Sequence, residues 1–186
     1  MNNCPIKVLL IDDDEEDFVL TRYIFDEFKE NKFKLDWINN FEDGLSALNE
    51  CRYDIYLVDF RLGERTGLEL LREAIKRGCG APIILLTGQG DKEIDFQAMQ
   101  AGAADYLVKS ELTAPLLERA IRYSLKHAGS LEEIQNSKAK FHSVIQSASD
   151  AILLINQEGN ITLWNKAAEL TFGYKEEEIL GFPATS

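Results

Sequence analysis

The sequence predicts an α/β fold: a five-stranded, doubly wound parallel sheet with helices on both faces. Three observations carry that prediction. Five short apolar runs alternate with five segments whose apolar residues recur at helical spacing. Alternation of this kind implies parallel strands joined by right-handed crossovers. Four of the runs stop on groups able to do chemistry, and the carboxyl ends of the strands are where open α/β sheets bind their ligands.

The first run, Ile6–Ile11, leads into Asp12-Asp13-Asp14-Glu15-Glu16-Asp17. Successive acids are usually a solvated surface or favourable charge at a helix N-terminus. A helix is expected here from the spacing of Phe18, Tyr23, Ile24, Phe25 and Phe28, closing at residues 29–32. Phe33–Ile38 alternates weakly and reads as the second strand. Asn40 is placed to cap a helix through Phe41, Leu45 and Leu48. The third strand, residues 55–58, is apolar throughout, as a strand buried on both faces should be, and ends on Asp59. Gly63 and Gly67 allow a tight turn before the helical pattern of Leu68, Leu70, Leu71 and Ile75. Residues 82–86 form the fourth strand, followed by Thr87-Gly88-Gln89-Gly90. Asp91 is positioned to cap the helix carrying Ile94, Phe96 and Met99, which residues 101–104 end. Asp105–Val108 is the fifth strand and runs into Lys109. Thr113 is placed to cap a last helix with Pro115 in its first turn.

Composition narrows the function classes. With 186 residues there is room for one full domain plus a smaller segment. A net charge of −12 argues against a nucleic-acid footprint. No apolar stretch reaches the length of a membrane span, and the first residues lack the pattern of a signal peptide. Cys4, Cys51 and Cys79 have no metal-ligand spacing and read as reduced thiols of a cytoplasmic protein. His127 and His142 sit in charged helical surroundings and read as surface residues.

The strand ends offer Asp12 and Asp13, Asp59, Thr87 and Lys109. A lone strand-end aspartate is more often a turn or helix cap than a reactive group. Several together are different, because converging carboxylates repel and raise one another's pKa values unless a cation joins them. Oxygen-only donors point to Mg²⁺, which keeps waters or phosphate oxygens among its ligands. The Thr87 hydroxyl and the Lys109 ammonium are the donors a phosphoryl group needs. Gly88-Gln89-Gly90 lacks the Lys-Ser/Thr of a nucleotide loop, so the set suits a phosphoryl group on a carboxylate better than a bound nucleotide.

These residues, in this order, resemble the receiver domain of bacterial two-component response regulators over residues 5 to about 127. The matching positions are Asp12 and Asp13 after the first strand, Asp59 after the third, Thr87 after the fourth, Tyr106 within the fifth and Lys109 after it. The resemblance implies a flavodoxin-like sheet of order 2-1-3-4-5. It implies that Asp59 is the phosphoacceptor, served by a histidine kinase or a histidine phosphotransfer protein. Asp13, Asp59 and the backbone carbonyl of Arg61 would bind Mg²⁺ directly and Asp12 through water, with Asp13/Asp14 as an alternative reading of the acidic pair. Lys109 would pair with phosphoryl oxygens, and Thr87 and Tyr106 would form the switch; a half-buried strand aromatic also needs no such role. Two positions depart from the family pattern. Lys109 is followed by Ser110 rather than by a proline with a cis peptide, and the loop after Asp59 reads Arg61-Leu62-Gly63-Glu64-Arg65 instead of carrying Met-Pro.

Beyond the receiver, residues 116–145 read as a long helix with an interruption expected at Gly129. Past Ala128 it is mostly polar, which points to a dimeric signalling coil. Asp150-Ala151-Ile152, Gly159-Asn160-Ile161 and Trp164-Asn165-Lys166-Ala167-Ala168 resemble the opening of a PAS domain, with strands at 151–155 and 161–164 and a helix capped by Asn165. The expected organisation is a receiver at 1–128, a helical linker at 129–142 and a truncated α+β PAS segment at 143–186. No phosphorylatable histidine helix or ATP-binding region is visible, so the chain reads as a phosphorelay switch and not a kinase. Competing readings are a receiver-like interaction module that is not phosphorylated, a PAS-based small-molecule sensor, and an enzyme of the haloacid-dehalogenase type. The last places its nucleophile after the first strand, whereas Asp59 follows the third.

Overall fold

Residues 4–28, 32–88 and 92–184 are described in a computed structural model of the chain. The sheet is parallel, in the order β2 (Phe33–Ile38), β1 (Ile6–Ile11), β3 (Ile55–Asp59), β6 (Ile83–Thr87), β7 (Asp105–Val108). Counting only these long strands, the order is 2-1-3-4-5, as the resemblance implies. The helices α1 (Glu15–Asp26), α2 (Phe41–Asn49), α3 (Gly67–Lys76), α4 (Lys92–Gln100) and α5 (Ala114–Ser147) alternate with them.

Strand period explains the layering. Leu9, Ile11, Tyr56, Val58, Ile83 and Leu85 point to one face, where they pack with Leu45, Leu48, Leu70, Leu71 and Ala98 of α2, α3 and α4. Val8, Leu10, Ile55, Leu57, Ile84 and Leu86 point to the other, against Phe18 and Ile24 of α1 and Leu117 and Ile121 of α5. Successive strand residues alternate faces, so runs apolar at every position are what a sheet covered on both sides requires.

The loop after Asp59 holds more structure than a turn. Arg61–Leu62 (β4) and Arg65–Thr66 (β5) pair antiparallel, Arg61 with Thr66 and Leu62 with Arg65. Gly63 takes φ +63 between them. Asn40 caps α2 by accepting the Asp43 amide, and Thr66 caps α3 by accepting that of Glu69. The closure expected at residues 29–32 and the Asp91 cap fall largely outside the described residues. α5 runs unbroken through Gly129, contrary to the expected interruption. A helical glycine costs only about 1 kcal/mol relative to alanine, which its helix-forming neighbours outweigh.

By contacts the chain divides into two compact units, 1–129 and 130–186. Within the second, β8 (Leu153–Ile155) and β9 (Ile161–Trp164) form an antiparallel hairpin, followed by α6 (Lys166–Phe172) and α7 (Glu176–Ile179). Its small core is Ile161, Trp164 and Ala168, with Leu153 and Ile179 against them. β8 begins two residues later than expected because Ile152 is held by Asn165 instead of by the ladder. The fully buried Asn165 accepts the Ile152 and Ala168 amides at 2.8 and 2.9 Å. It donates to the carbonyls of Ile145 and Asp150 at 3.0 and 2.9 Å. No helix among the described residues is long and apolar enough to cross a membrane.

Candidate functional site

The order of strands reverses between β1 and β3, so the carboxyl ends of these two strands flank a crevice. Asp12 follows β1 directly and is fully buried. Its Oδ1 accepts the Asp14 amide at 3.0 Å. The Trp37 indole N–H donates to its backbone carbonyl at 2.8 Å, and the Trp37 ring stacks on Phe18 with centroids 4.6 Å apart. These contacts fix where the chain leaves the strand. Asp13 is exposed, and its Oδ2 accepts the Gly63 amide at 2.9 Å. Asp14 is the N-cap of α1 and accepts the Glu16 amide at 2.8 Å. Asp12 and Asp13 are therefore the acids that lie with Asp59, one oxygen of each within 4.8 Å of the others.

Asp59 closes β3 and is buried. Its Oδ2 accepts the Arg61 amide at 2.9 Å, and Lys109 Nζ lies 2.6 Å from its Oδ1. Lys109, which opens a short 3₁₀ turn after β7, also reaches Asp12 Oδ2 at 2.7 Å and Asp17 Oδ2 at 2.6 Å. The described residues contain no cis peptide, so the Lys109–Ser110 bond is trans. Thr87 ends β6, is buried, and lines the same cleft, which encloses about 500 Å³. Tyr106 lies in β7 beside Leu85, half-buried against the core on the α2–α4 side, and does not line that cleft.

Burial is the largest influence on both buried acids. It pushes the Asp12 carboxyl up to about 6, against the Lys109 ammonium and the Asp14 amide, which favour the charged form. Asp59 is raised for the same reason, with Lys109 and the Arg61 amide pulling it back and Asp13 adding repulsion. Burial alone would lower the Lys109 ammonium, but its bonds to Asp12, Asp17 and Asp59 outweigh that and hold it well above the usual lysine range. Three carboxylates, Asp12, Asp17 and Asp59, thus share the Lys109 ammonium, and Asp13 and Asp14 line the same cleft. The donor set is all oxygen and its negative charge exceeds what Lys109 neutralises, which fits a hard divalent cation such as Mg²⁺.

Sequence reasoning misses three features of this site. Asp17 reads in the sequence as one of a solvated acidic run. The signal for it is its place three residues after the α1 cap, since helical side chains tilt toward the helix N-terminus and here toward the strand end. The Gly63 amide reads as part of a turn, and only the pairing of β4 with β5 brings it to Asp13. Gly67 reads as conformational freedom, yet a Cβ there would meet the Asp59 backbone oxygen at 2.1 Å. Its role is close approach of α3 to the end of β3.

Residues 8–122 match the family model of the response regulator receiver domain. Residues 139–183 match the PAS fold model. The transcriptional regulatory protein CiaR of Streptococcus pneumoniae is 30% identical over 180 residues, covering 97% of this chain and 76% of CiaR. The two-component response regulator PhoP of Pseudomonas aeruginosa is 29% identical over 104 residues, 56% of this chain and 45% of PhoP. The response regulator RppA of Synechocystis is similar, with 48% of its length covered, so the chain spans about half the length of several curated relatives. Among solved structures, a response regulator receiver domain protein from Clostridium thermocellum superposes with a TM-score of 0.60 at 27% identity, over 68% of this chain and 98% of that one. A receiver domain protein from Methanospirillum hungatei shares the fold, with a TM-score of 0.58 at 24% identity over 68% of this chain and 98% of that one.

Proposed function

Because this chain belongs to the response regulator receiver domain family, we propose that it is a phosphorelay switch that accepts a phosphoryl group on Asp59. The donor is the phosphohistidine of a histidine kinase or of a histidine phosphotransfer protein. The observation that carries this reading is the surroundings of Asp59: one oxygen held by the Arg61 amide at 2.9 Å, the other 2.6 Å from Lys109, and two further carboxylates close by. The Asp59 carboxylate is the nucleophile, forming an O–P bond as the N–P bond to the donor imidazole breaks. Asp13, Asp59 and the Arg61 carbonyl would hold Mg²⁺ directly and Asp12 through water, and the ion would supply charge neutralisation for the transferring group. Lys109 pairs with a phosphoryl oxygen, releasing Asp12 or Asp17 from its present contacts. The Thr87 hydroxyl donates to another oxygen, and Tyr106 follows the space Thr87 vacates. A new dianion at a strand end is satisfied only by moving such donors toward it.

The output passes to the C-terminal segment, and a homodimer through the helix after Ala128 is part of this reading. Leu131, Ile134 and Phe141 on that helix are largely exposed, at 49, 65 and 58%. A sedimentation mass that stays monomeric at all concentrations would remove the dimer. The phosphoryl reading is tested by intact mass after incubation with Mg²⁺ and acetyl phosphate. The expected result is a Mg²⁺-dependent gain of one phosphoryl group, absent in Asp59→Asn. Equal labelling of native and variant protein would overturn it.

A further inference from the structure

We infer that Arg65 is a positioning residue for the cation-binding carboxylates, acting through the β4–β5 hairpin. The inference rests on the Mg²⁺ reading above and extends it to a residue outside the cleft. The hairpin has two residues in each strand, far too few to be stable alone. Its first strand is anchored by Leu62, buried in the α2–α4 core. Its second is anchored by Arg65. The guanidinium sits 3.5 Å from the centre of the Phe41 ring at the start of α2. It also meets Glu42 of α2 at 3.5 Å and Glu69 and Glu73 of α3 at 3.1 and 2.7 Å. One planar, always-charged group with a fixed fork of donors can satisfy stacking and several carboxylates together, which a lysine cannot.

What the hairpin holds gives this anchor its consequence. The Gly63 amide at its tip binds Asp13 at 2.9 Å, and the Arg61 amide at its base binds Asp59 at 2.9 Å. Two of the three acids of the candidate cation group are thus set by backbone donors of one small element. Asp13 is exposed and is repelled by Asp12 and Asp59, so without the Gly63 amide it has reason to swing outward. Groups that orient metal ligands from behind typically change affinity by about 10–100-fold when removed. Arg65 acts one step further out, so the low end of that range applies.

The test uses the full chain as native protein, Arg65→Met, Arg65→Lys and Glu73→Gln. Met keeps contact with Phe41 without the charge, and Lys keeps the charge without the fork. Glu73→Gln loosens the anchor without altering the hairpin. Mg²⁺ affinity is measured by calorimetry, and phosphoryl uptake from acetyl phosphate is followed against Mg²⁺ concentration. The expected result is roughly tenfold weaker Mg²⁺ binding in Arg65→Met, smaller losses in the other two, and an unchanged uptake rate once Mg²⁺ saturates. Unchanged Mg²⁺ affinity in all three folded variants overturns the inference. So does an uptake rate that saturating Mg²⁺ fails to restore, which marks a general structural defect. Native protein that binds no Mg²⁺ overturns the proposed function itself, a result distinct from either.

Discussion

Asp12 is a buried acid held charged at a cost, and replacing it by asparagine should stabilise the metal-free protein at neutral pH. The size follows from its surroundings. Burial raises the Asp12 carboxyl from its ordinary 3.8 to about 6. At about 1.4 kcal/mol per pH unit, that difference is worth roughly 3 kcal/mol between the protonated and ionised forms. The folded state binds the proton more tightly than the unfolded chain. The favourable contribution is therefore fully present below pH 3.8, shrinks as pH rises, and is gone above about pH 6. At pH 7.5 native protein carries the ionised, disfavoured form. Asp12→Asn carries a neutral side chain of the same shape that still accepts the Asp14 amide.

The expected gain for Asp12→Asn in EDTA at pH 7.5 is up to about 3 kcal/mol, falling to roughly half of that at pH 5. Urea denaturation followed by Trp37 fluorescence in a Trp164→Phe background reads this out, since the Trp37 indole bonds to the Asp12 carbonyl. Saturating Mg²⁺ should close the gap, because native protein then gains a cation that the variant binds poorly. In native protein, Mg²⁺ affinity should fall as pH drops through about 6, where Asp12 takes up a proton instead. A variant less stable than native at pH 7.5, or a gain equal at both pH values, would refute the reasoning. Asp12 would then act through its hydrogen bonds and not through its charge.

Two further substitutions follow from close contacts. Gly67→Ala puts a Cβ 2.1 Å from the Asp59 backbone oxygen and 2.9 Å from Val58. Backbone cannot yield as a side-chain tip can, so urea denaturation should show a loss of at least about 2 kcal/mol with weaker Mg²⁺ binding. Asn165→Ala strips partners from two amides and two carbonyls at once. At about 1–3 kcal/mol for each buried group left unsatisfied, hydrogen exchange should show protection lost across β8 and α6 while the Trp37 signal is unchanged.

The sheet could be read from sequence because burial on both faces writes itself as unbroken apolar runs. Residues 55–58 and 83–86 are apolar at every position and buried at every position. Asp59 and Thr87 could be read because they stop those runs where the crevice opens, and Lys109 because it directly follows the fifth strand. What could not be read depends on how elements are phased in three dimensions. Asp17 is one acid in a row of six until the turn of α1 aims it at Lys109. Arg65 looks like any charged loop residue until α2 and α3 supply Phe41, Glu42, Glu69 and Glu73 around it. Gly129 reads as a break because propensity is local, while α5 gains from Leu117 and Ile121 packed on the sheet before it.

The two charged residues hidden in this way share a physical logic. Asp17 and Arg65 both act on the site through oppositely charged partners and both lie at its margin, 31 and 38% exposed as side chains. Asp12 and Asp59, which contact the same Lys109 ammonium from within the sheet end, are nearly inaccessible. A buried acid cannot be tuned from inside the core without leaving a polar group unsatisfied, whereas a partner at the rim can be exchanged at little cost in solvation. Asp17 competes with any incoming anion for the Lys109 ammonium, and Arg65 steadies the amides that hold Asp13 and Asp59. Differences in cation affinity and phosphoryl lifetime among chains with this same triad of acids should therefore track such marginal residues more than the triad itself.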